Sequence, residues 1–546
     1  MRIRLEYWLV AAAGLLLTAC ATHPPVPPPS TDIDESLFRD HVRMLASDEF
    51  EGRKPGTPGE EKTLGYLVQQ FKKLGLKPGN GETFLQPVPM IESTAGTDAS
   101  LAIAGRGALT LVYGRDMIIW SKRGLPQAEL RDSGLVFAGY GIVAPEYAWN
   151  DYADIDVHGK TVVVLINDPG WGSKDPRVFK GGTMTYYGRP AYKIEEAARQ
   201  GAAGVLLVHD GDAAGYGWQA VVNARSGAQL DLAASGGARA AIEGWIQKDA
   251  AAAMFKAAGM DFAATAAAAA RAGFKAVPLG LKVDATLHEN VRQIISSNVV
   301  ALWPGGSRSR EYVVYTAHWD HLGRDPSRAG HDVFNGAVDN ATGVAGLLAL
   351  AQSFVRTKPV ADRSIVFLAL TGAEYGLLGS EYYVAHPVFP LRDTAAVLNL
   401  DTLRNGGRTR DLTIIGVGNT DLEQYARAAA LLQGREVTPE PTPEQGLYYG
   451  SDNFSFAKAG VPPLYAKGGL DDSARGPAWG RKQLDDYMAQ RYRQPGDQYS
   501  PDWDVRGPVD DLNLYYAVGL RVAHTHRFPR WYPNSEFRVG REPGAG

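Results

Sequence analysis

Five largely apolar runs in the second half of the chain constrain its fold more than any other feature. They lie at 298–302, 312–315, 364–370, 395–400 and 412–415. Helical patterns, such as the one over 343–354, lie between them. Strands that are buried on both faces are typically apolar throughout, and their alternation with helices indicates a largely parallel sheet. We therefore predict an α/β domain from about residue 295 onward.

Polar residues that can bind a metal follow these runs or lie in the turns between them. They are His318, Asp320, Asp339, Glu374 and Asp401. Side chains at the carboxyl ends of parallel strands meet at one edge of a sheet. Asp339 alone would be interpreted as a helix cap, and a lone His-x-Asp is a weak signal. Four acids and one histidine at comparable positions instead predict a site for zinc or a similar divalent ion.

The middle of the chain has a different pattern of apolar and polar residues. Short apolar strands are predicted at 135–141, 161–166 and 204–208, with a helix at 191–200 before the last of them. The Ala-rich stretch 249–272 is typical of a packed helix pair. At 546 residues the chain is long enough for two domains. Its net charge of -4 and the lack of a basic tract exclude nucleic acid as an expected partner.

The amino terminus resembles a lipoprotein signal. Arg2 and Arg4 precede the apolar run 8–17, which ends in LTAC at 17–20. Cys20 is the only cysteine, so no internal disulfide can form, and a Pro-rich segment follows it. We expect a signal peptide at 1–19, an acylated Cys20 with a tether at 20–34, and a lipid-anchored protein of the bacterial cell envelope, at the outer membrane facing the periplasm. The alternative is an ordinary secretory signal with an incidental cysteine.

Further motifs make the resemblance to a known family specific. They are LASDEFEGR at 45–53, YGIVAPEY at 140–147, YYGRP at 186–190 and YGW at 216–218. With the metal-binding motifs, in this order, the chain resembles the co-catalytic zinc exopeptidases that include bacterial leucyl aminopeptidases and glutamate carboxypeptidase, the twenty-eighth metallopeptidase family. It is most similar to the subgroup with an inserted protease-associated domain.

The resemblance implies a fold, a division into domains and a substrate class. A phosphorylase/hydrolase-like three-layer α/β domain with a mostly parallel central sheet is expected from 35–88 and 276–526. A β-rich protease-associated insert is expected at 89–275 and a tail at 527–546. Peptides are the expected substrate or ligand.

Carried over position by position, the resemblance assigns a role to each site residue. His318 and Asp401 would hold one zinc ion, and Asp320 would orient His318. Asp339 would bridge to a second zinc ion, which Glu374 would hold. One or two ions are expected, and the position formed by His318, Asp339 and Asp401 is expected to fill first.

Two positions depart from the family pattern. The family has Glu-Glu before x-Gly-Leu-Leu-Gly-Ser, and its first Glu is the general base, whereas this chain has Ala373 before Glu374. The family also ends in a stretch like Tyr-His-x-Pro-x-Asp, whose His binds the second ion, but this chain has YRQPGD at 492–497. Arg493 cannot bind a metal, but it can pair with a carboxylate, and we expect it to pair with Glu374. If the register is shifted instead, His524 and His526 are the nearest later histidines.

Three functions remain open from the sequence. The first is a metal-dependent exopeptidase, similar to an aminopeptidase, that is weakened by the loss of its base and one ligand. The second is a catalytically silent relative that binds peptides or one metal in the old cleft. The third is a purely structural lipoprotein, for which the intact metal-binding residues have no explanation. Two ions, one ion or none would distinguish them.

Overall fold

The computed structural model describes residues 33–96, 99–171, 175–234 and 236–538. The predicted signal peptide, Cys20 and most of the tether lie outside the described residues. Within those ranges, no helix combines the length and the apolar character that crossing a membrane requires.

Thirteen α-helices occur in the part of the chain that the structure describes. They are α1 (Glu35–Leu45), α2 (Pro58–Lys73), α3 (Pro190–Arg199), α4 (Gly211–Ala214), α5 (Trp218–Arg225), α6 (Lys248–Ala257), α7 (Phe262–Ala269), α8 (Thr342–Thr357), α9 (Leu378–Ala385), α10 (Leu422–Leu432), α11 (Asn453–Lys458), α12 (Pro477–Gln490) and α13 (Arg506–His524). The Ala-rich stretch forms α6 and α7, as the sequence predicts.

The described strands are short, with four exceptions. They are β1 (Lys77–Pro78), β2 (Leu85–Ala95), β3 (Ser100–Ala104), β4 (Leu109–Leu111), β5 (Met117–Trp120), β6 (Gln127–Phe137), β7 (Val143–Ala144), β8 (Trp149–Asn150), β9 (Thr161–Leu165), β10 (Gly204–His209), β11 (Gln229–Leu232), β12 (Ile242–Gln247), β13 (Val277–Trp303), β14 (Arg308–His318), β15 (Gly323–Arg324), β16 (Val333–Phe334), β17 (Arg363–Leu370), β18 (Thr394–Asn399), β19 (Asp411–Ile414), β20 (Glu436–Thr438) and β21 (Pro463–Gly468). The exceptions are β2, β6, β13 and β14, with 11, 11, 27 and 11 residues.

The site lies on a sheet whose centre is parallel. Strands β17, β14, β18 and β21 are adjacent in that order and run in the same direction. On one side β13 pairs antiparallel with β17, and on the other β19 pairs antiparallel with β21. Helix α8 is buried along nearly its whole length against this sheet, and α13 packs on the same sheet. The prediction of an α/β domain with a mostly parallel central sheet is confirmed.

A second sheet belongs to the middle of the chain. It has the order β4, β3, β13, β6, β9, β10, β12 and β5. The amino-terminal half of β13 pairs within this sheet, and its carboxyl-terminal half pairs within the first one. One long strand therefore ties the two sheets together.

The apolar runs of the sequence correspond to strands with shifted ends. The run at 395–400 forms β18, which ends one residue earlier, and the run at 135–141 contributes only its first part to β6. The remainder of that second run is a turn around Gly139 and Gly141, whose φ angles of +55° and +64° favour glycine. The predicted domain limit at residue 89 lies inside β2, and the limit at 275 directly precedes β13. These limits stay predictions.

Candidate metal centre

Three neighbouring strand ends bring the predicted metal-binding residues together. Strand β14 ends at His318 and pairs with both β17 and β18. Glu374 follows the end of β17, and Asp401 follows the end of β18. Asp339 lies in the short turn that precedes α8. Because parallel strands end at one edge of the sheet, these side chains converge there.

A buried arginine from the LASDEFEGR motif holds the loops of this edge. The side chain of Arg53 donates from Nε to the Trp319 carbonyl at 2.9 Å and from Nη1 to the Asn335 carbonyl at 2.6 Å. Its Nη2 donates to the Gly336 carbonyl at 2.9 Å. Burial lowers the pKa of Arg53 to about 10, and the surrounding carboxylates oppose that shift. A charged guanidinium therefore connects the loop after His318 to the turn that carries Asp339.

Asp497, the last residue of the YRQPGD stretch, holds the Asp339 turn from the other side. Its carboxylate accepts the amide N–H of Val338 at 3.0 Å and that of Asp339 at 3.1 Å. Asp497 is buried, and desolvation raises its pKa to about 6. The YRQPGD stretch is thereby fixed against the centre, with Arg493 four residues before Asp497.

The first half of the centre consists of His318, Asp339 and Asp401, and we call it the His318 half. One ligand atom from each of the three residues can be chosen so that all lie within 4.8 Å of one another. Nε2 of His318 lies 3.3 Å from Oδ1 of Asp339 and 3.7 Å from Oδ1 of Asp401. Nδ1 of His318 lies 3.1 Å from the main-chain carbonyl oxygen of Asp320. With its proton on Nδ1, His318 donates to that carbonyl and presents the Nε2 lone pair to the carboxylates.

The electrostatics of the His318 half favour a cation. Burial lowers the pKa of His318, but Asp320, Asp339 and Asp401 outweigh it and hold the pKa well above its usual value. Burial raises the pKa of Asp401, but His318 and the Ser451 hydroxyl outweigh it, so that the pKa is lowered. Three carboxylates around one imidazole attract positive charge to this position.

Asp320 contacts His318 through its main chain rather than through its carboxylate. Its carboxylate lies 3.7 Å from Nδ1 of His318, beyond hydrogen-bonding distance. It accepts instead the amide N–H groups of Ala373 at 3.0 Å and Glu374 at 3.3 Å. The main chain of Asp320 thus orients the histidine, and its side chain holds the turn that carries Glu374.

The other half of the centre contains Glu374, His321 and Arg493, and we call it the Glu374 half. Nη2 of Arg493 lies 2.7 Å from Oε2 of Glu374. The contact is an ion pair whose angles do not meet the geometry of a hydrogen bond. Nδ1 of His321 lies 3.1 Å from Oε1 of the same carboxylate. Burial raises the pKa of Glu374, but Arg493 and then His321 outweigh it and hold the pKa far below its usual value. The carboxylate is therefore ionised and already neutralised by a side chain.

No acid occupies the position of the family's general base. Ala373 lines the cavity above the centre, and its methyl group cannot accept a proton. Glu381 also lines this cavity, from helix α9, where it lies 3.8 Å from Nζ of Lys458. It is seven residues beyond Glu374, and the structure shows no contact between it and the centre.

Residues of the predicted insert cover the Glu374 half. The side-chain amide of Asn223, on α5, donates to the main-chain carbonyl of Arg493 at 2.8 Å. Arg493 has a φ angle of +55°, which is unusual for a residue with a side chain. The rings of Tyr216 and Tyr492 lie 5.9 Å apart. Contacts from residues far away in the sequence thus fix the segment that carries Arg493.

A cavity of about 420 Å³ opens over both halves. Its lining includes His318, Asp339, Ala373, Asp401 and Arg493 from the sheet edge and the loops beside it. The predicted insert contributes another wall, which includes the side chains of Arg189, Tyr216, Val221, Arg225, Glu243 and Trp245. The cavity is within the size range of small-molecule sites in proteins and lies between the sheet edge and the predicted insert.

The two halves differ in their fit to a metal ion. The His318 half offers one imidazole and two carboxylates around an open position, which is the ligand number of a catalytic zinc site. In the Glu374 half, ligand atoms of His321, Asp339 and Glu374 also lie within 4.8 Å of one another. There, however, a divalent ion about 4 Å from the Arg493 guanidinium would be repelled by on the order of 8 kcal/mol at an effective dielectric constant of about 20. That is a large part of the roughly 10–16 kcal/mol with which four ligands bind structural zinc.

Sequence reasoning missed His321. Its ring is fully buried, and its Nε2 has no hydrogen-bond partner among the described residues. The signal was present, because His321 completes a His-x-Asp-His stretch that begins at His318. The later histidines are remote by comparison, since His524 lies at the end of α13 with a side chain that is 43% exposed.

Part of the chain matches a family of known proteins. Residues 298–517 match the sequence profile of peptidase family M28, which covers the central strands and the centre just described. Over this segment, which is less than half of the chain, the chain is similar to peptidase family M28.

Curated relatives match shorter segments. A probable zinc metalloprotease of Pyrenophora teres f. teres is 33% identical over 174 residues, which are 31% of this chain and 35% of that protein. The mouse aminopeptidase NAALADL1 is 28% identical over 129 residues, 23% of this chain and 16% of that protein. The chain thus spans about a third or less of the length of these relatives.

The fold extends over nearly the whole chain in a solved structure. A peptidase M28 precursor from Shewanella amazonensis SB2B superposes with a TM-score of 0.50 at 17% identity, covering 91% of this chain and 95% of that one. At this identity the likeness concerns the fold.

Proposed function

We propose that this protein is an exopeptidase-type metallohydrolase with a single zinc ion, held by His318, Asp339 and Asp401, and with weak hydrolytic activity. The observation that carries the proposal is the contact between Arg493 and Glu374 at 2.7 Å. In this contact the guanidinium supplies the positive charge that a second ion would bring. Peptides are the proposed substrates, and an acylated Cys20 is proposed to anchor the protein in the cell envelope.

The chemistry divides between the ion and the protein. A zinc ion in the His318 half supplies Lewis acidity, which polarises a carbonyl and makes water more nucleophilic. The Asp320 carbonyl keeps the His318 proton on Nδ1 and leaves Nε2 free to bind the ion. The cavity between the sheet and the insert positions the peptide. Because Ala373 takes no proton, the rate lacks the factor of about 10²–10⁴ that a general base contributes.

The substitution at Ala373 also favours a second function, that of a silent peptide-binding relative. Such a protein keeps the zinc ion and the cavity but turns over no substrate. The two functions share one structure and differ only in measured activity.

A paired experiment tests the proposal. Zinc per chain is counted by native mass spectrometry, and hydrolysis of a panel of aminoacyl-nitroanilides is followed with zinc present. The native protein is compared with the Ala373→Glu/Arg493→His double variant and with each single variant. We expect one zinc ion and slow turnover for the native chain. For the double variant we expect two ions and a rate about 10²–10⁴ higher.

Each other outcome has a defined meaning. Two tightly bound ions in the native protein contradict the single-ion centre. Native turnover equal to that of the double variant shows that another residue serves as the base. Activity in the double variant alone identifies the native protein as a silenced peptidase. No bound zinc at all excludes both functions.

A further inference from the structure

Two cations line the cavity beside the His318 half without a carboxylate partner. They are Lys467, near the end of β21, and Arg404, in the loop after Asp401. Among the described residues, no carboxylate oxygen lies within 4.0 Å of the side-chain nitrogens of either one. Two other basic side chains of this lining differ: Arg239 pairs with Asp231 at 2.6 Å and Arg493 pairs with Glu374 at 2.7 Å.

Neutral groups hold Lys467 in place. Its Nζ donates to the Thr402 hydroxyl at 2.7 Å and to the Tyr465 hydroxyl at 3.0 Å. The Tyr465 hydroxyl in turn donates to the main-chain carbonyl of Asp401 at 3.3 Å. An ammonium group has three donors, and these contacts use two of them. The lysine is thus fixed next to a metal-binding residue with a donor to spare.

Arg404 is fixed in a similar way. Its Nη1 donates to the Gly469 carbonyl at 2.6 Å and its Nη2 to the Gly480 carbonyl at 3.0 Å. The acids nearest to it are engaged elsewhere: the Asp411 carboxylate accepts the Leu470 amide at 3.0 Å, and Asp511 pairs with Arg435 at 2.8 Å. The guanidinium therefore keeps its full charge beside the cavity.

The arrangement carries an electrostatic cost unless an anion joins it. Burial lowers the pKa of Lys467, and the nearby charge of Arg404 adds to that effect. Of the acids that oppose it, Asp401 and Asp339 belong to the metal centre, and burial raises the pKa of Glu440 to about 7. Half-buried cations without partners in a ligand cavity are typical of a site for an anionic group.

We propose that Lys467, with Arg404 behind it, forms a subsite for a carboxylate of the substrate next to the scissile bond. The inference rests on the proposed peptidase-type function and names its substrate class, peptides with a carboxylate close to the reacting carbonyl. Two sources share this chemistry: an acidic side chain and the carboxyl terminus of a very short peptide.

Four ligands separate these sources. Ala-Glu-amide carries only a side-chain carboxylate, Ala-Ala carries only a terminal one, and Ala-Gln-amide and Ala-Ala-amide carry neither. Their affinities for the zinc-loaded, full-length protein are measured by calorimetric titration. A charge-assisted hydrogen bond predicts that one carboxylate ligand binds about 10- to 100-fold more tightly than its amide counterpart.

Three variants assign the preference to the lysine. Lys467→Met should bind acid and amide equally within about threefold, while its affinity for Ala-Gln-amide stays that of the native protein. Lys467→Arg retains the charge and should retain the preference. Lys73→Met, an exposed lysine of α2 far from the cavity, is the matched control and should change nothing.

The outcomes are separable from the proposed function. If zinc and the neutral peptides bind but the native protein shows no carboxylate preference, or if Lys467→Met keeps it, the subsite is wrong and the function stands. If neither zinc nor any of the four peptides binds, the proposed function fails and the subsite fails with it. An unchanged affinity of Lys467→Met for Ala-Gln-amide shows that the variant is folded.

Discussion

The two halves of the centre use similar residues for different ends. The His318 half gathers one imidazole and two carboxylates with no guanidinium among them, and its pKa values show a site that attracts a cation. The Glu374 half also has an imidazole and carboxylates, but Arg493 already neutralises Glu374. Ligand atoms at metal-binding distances are therefore not sufficient for a site to bind an ion. The charge of the neighbouring side chain decides whether an ion enters.

The neighbours of each half reinforce the contrast. Lys467 donates to the hydroxyl groups of Thr402 and Tyr465 rather than to the Asp401 carboxylate, which therefore stays available to the ion. Arg493 contacts Glu374 directly, and Asn223 of the predicted insert holds its main chain. Lys467 therefore lies beside the His318 half without pairing with its carboxylates, whereas Arg493 pairs with a carboxylate of the Glu374 half.

Removal of the cation from the Glu374 half should have the largest effect. In metal-free protein, Arg493→Met leaves the buried Glu374 carboxylate with only His321 beside it, and we expect a loss of about 3–5 kcal/mol in the free energy of unfolding. Urea unfolding measures it. The control is Arg493→Met/Glu374→Gln, which removes both charges and should be the more stable of the two variants. Equal losses in both would show that the ion pair contributes nothing.

A matched pair of histidine variants should separate the halves next. His318→Ala removes a ligand of the proposed ion, so zinc affinity should fall by more than about 100-fold, since even outer-shell changes cost 10–100-fold. His321→Ala should leave one ion bound with an affinity within a few-fold of the native value. Competition with a chelator of known affinity measures both. Similar losses of zinc affinity in the two variants would show that the two halves do not differ in metal binding.

A variant of Asp320 separates an effect on stability from an effect on zinc affinity. Asp320→Ala removes the acceptor of the Ala373 and Glu374 amides, so we expect a loss of about 1.5–3 kcal/mol in stability, as for hydrogen bonds to a charged group. Because the main-chain carbonyl still orients His318, zinc affinity should fall by less than about tenfold. Denaturation and chelator competition on one preparation test both. A large loss of zinc affinity with little loss of stability would restore the role predicted from the sequence.

The contact from the insert should have the smallest effect. Asn223→Ala removes one hydrogen bond to the Arg493 carbonyl, which contributes about 1 kcal/mol. We expect a small rise in the affinity for a second zinc ion, because Arg493 is held less firmly. Gln69→Ala, at an exposed position of α2 away from the cavity, is the control. No difference between the variants would show that the insert does not restrain Arg493.

Much of the fold was predictable because its signals are local. The apolar runs mark β14, β17 and β18, and the position of a residue just after such a run places it at the sheet edge. The extent of β13 was not predictable. Its 27 residues belong to two sheets, and only the partners on each side show where one ends.

The sequence by itself determined which residue types stand at the strand ends, and therefore that Ala373 brings no base and Arg493 no ligand. Only the tertiary structure decided what the other groups do. It placed His321 against Glu374, turned the Asp320 carboxylate to the Ala373 amide, and left Lys467 without an acid partner. The physical reason is the distance along the chain over which each kind of interaction acts. Hydrophobic patterning acts over a few neighbouring residues, whereas charge pairing depends on distances between side chains that only the packed sheets and loops bring together.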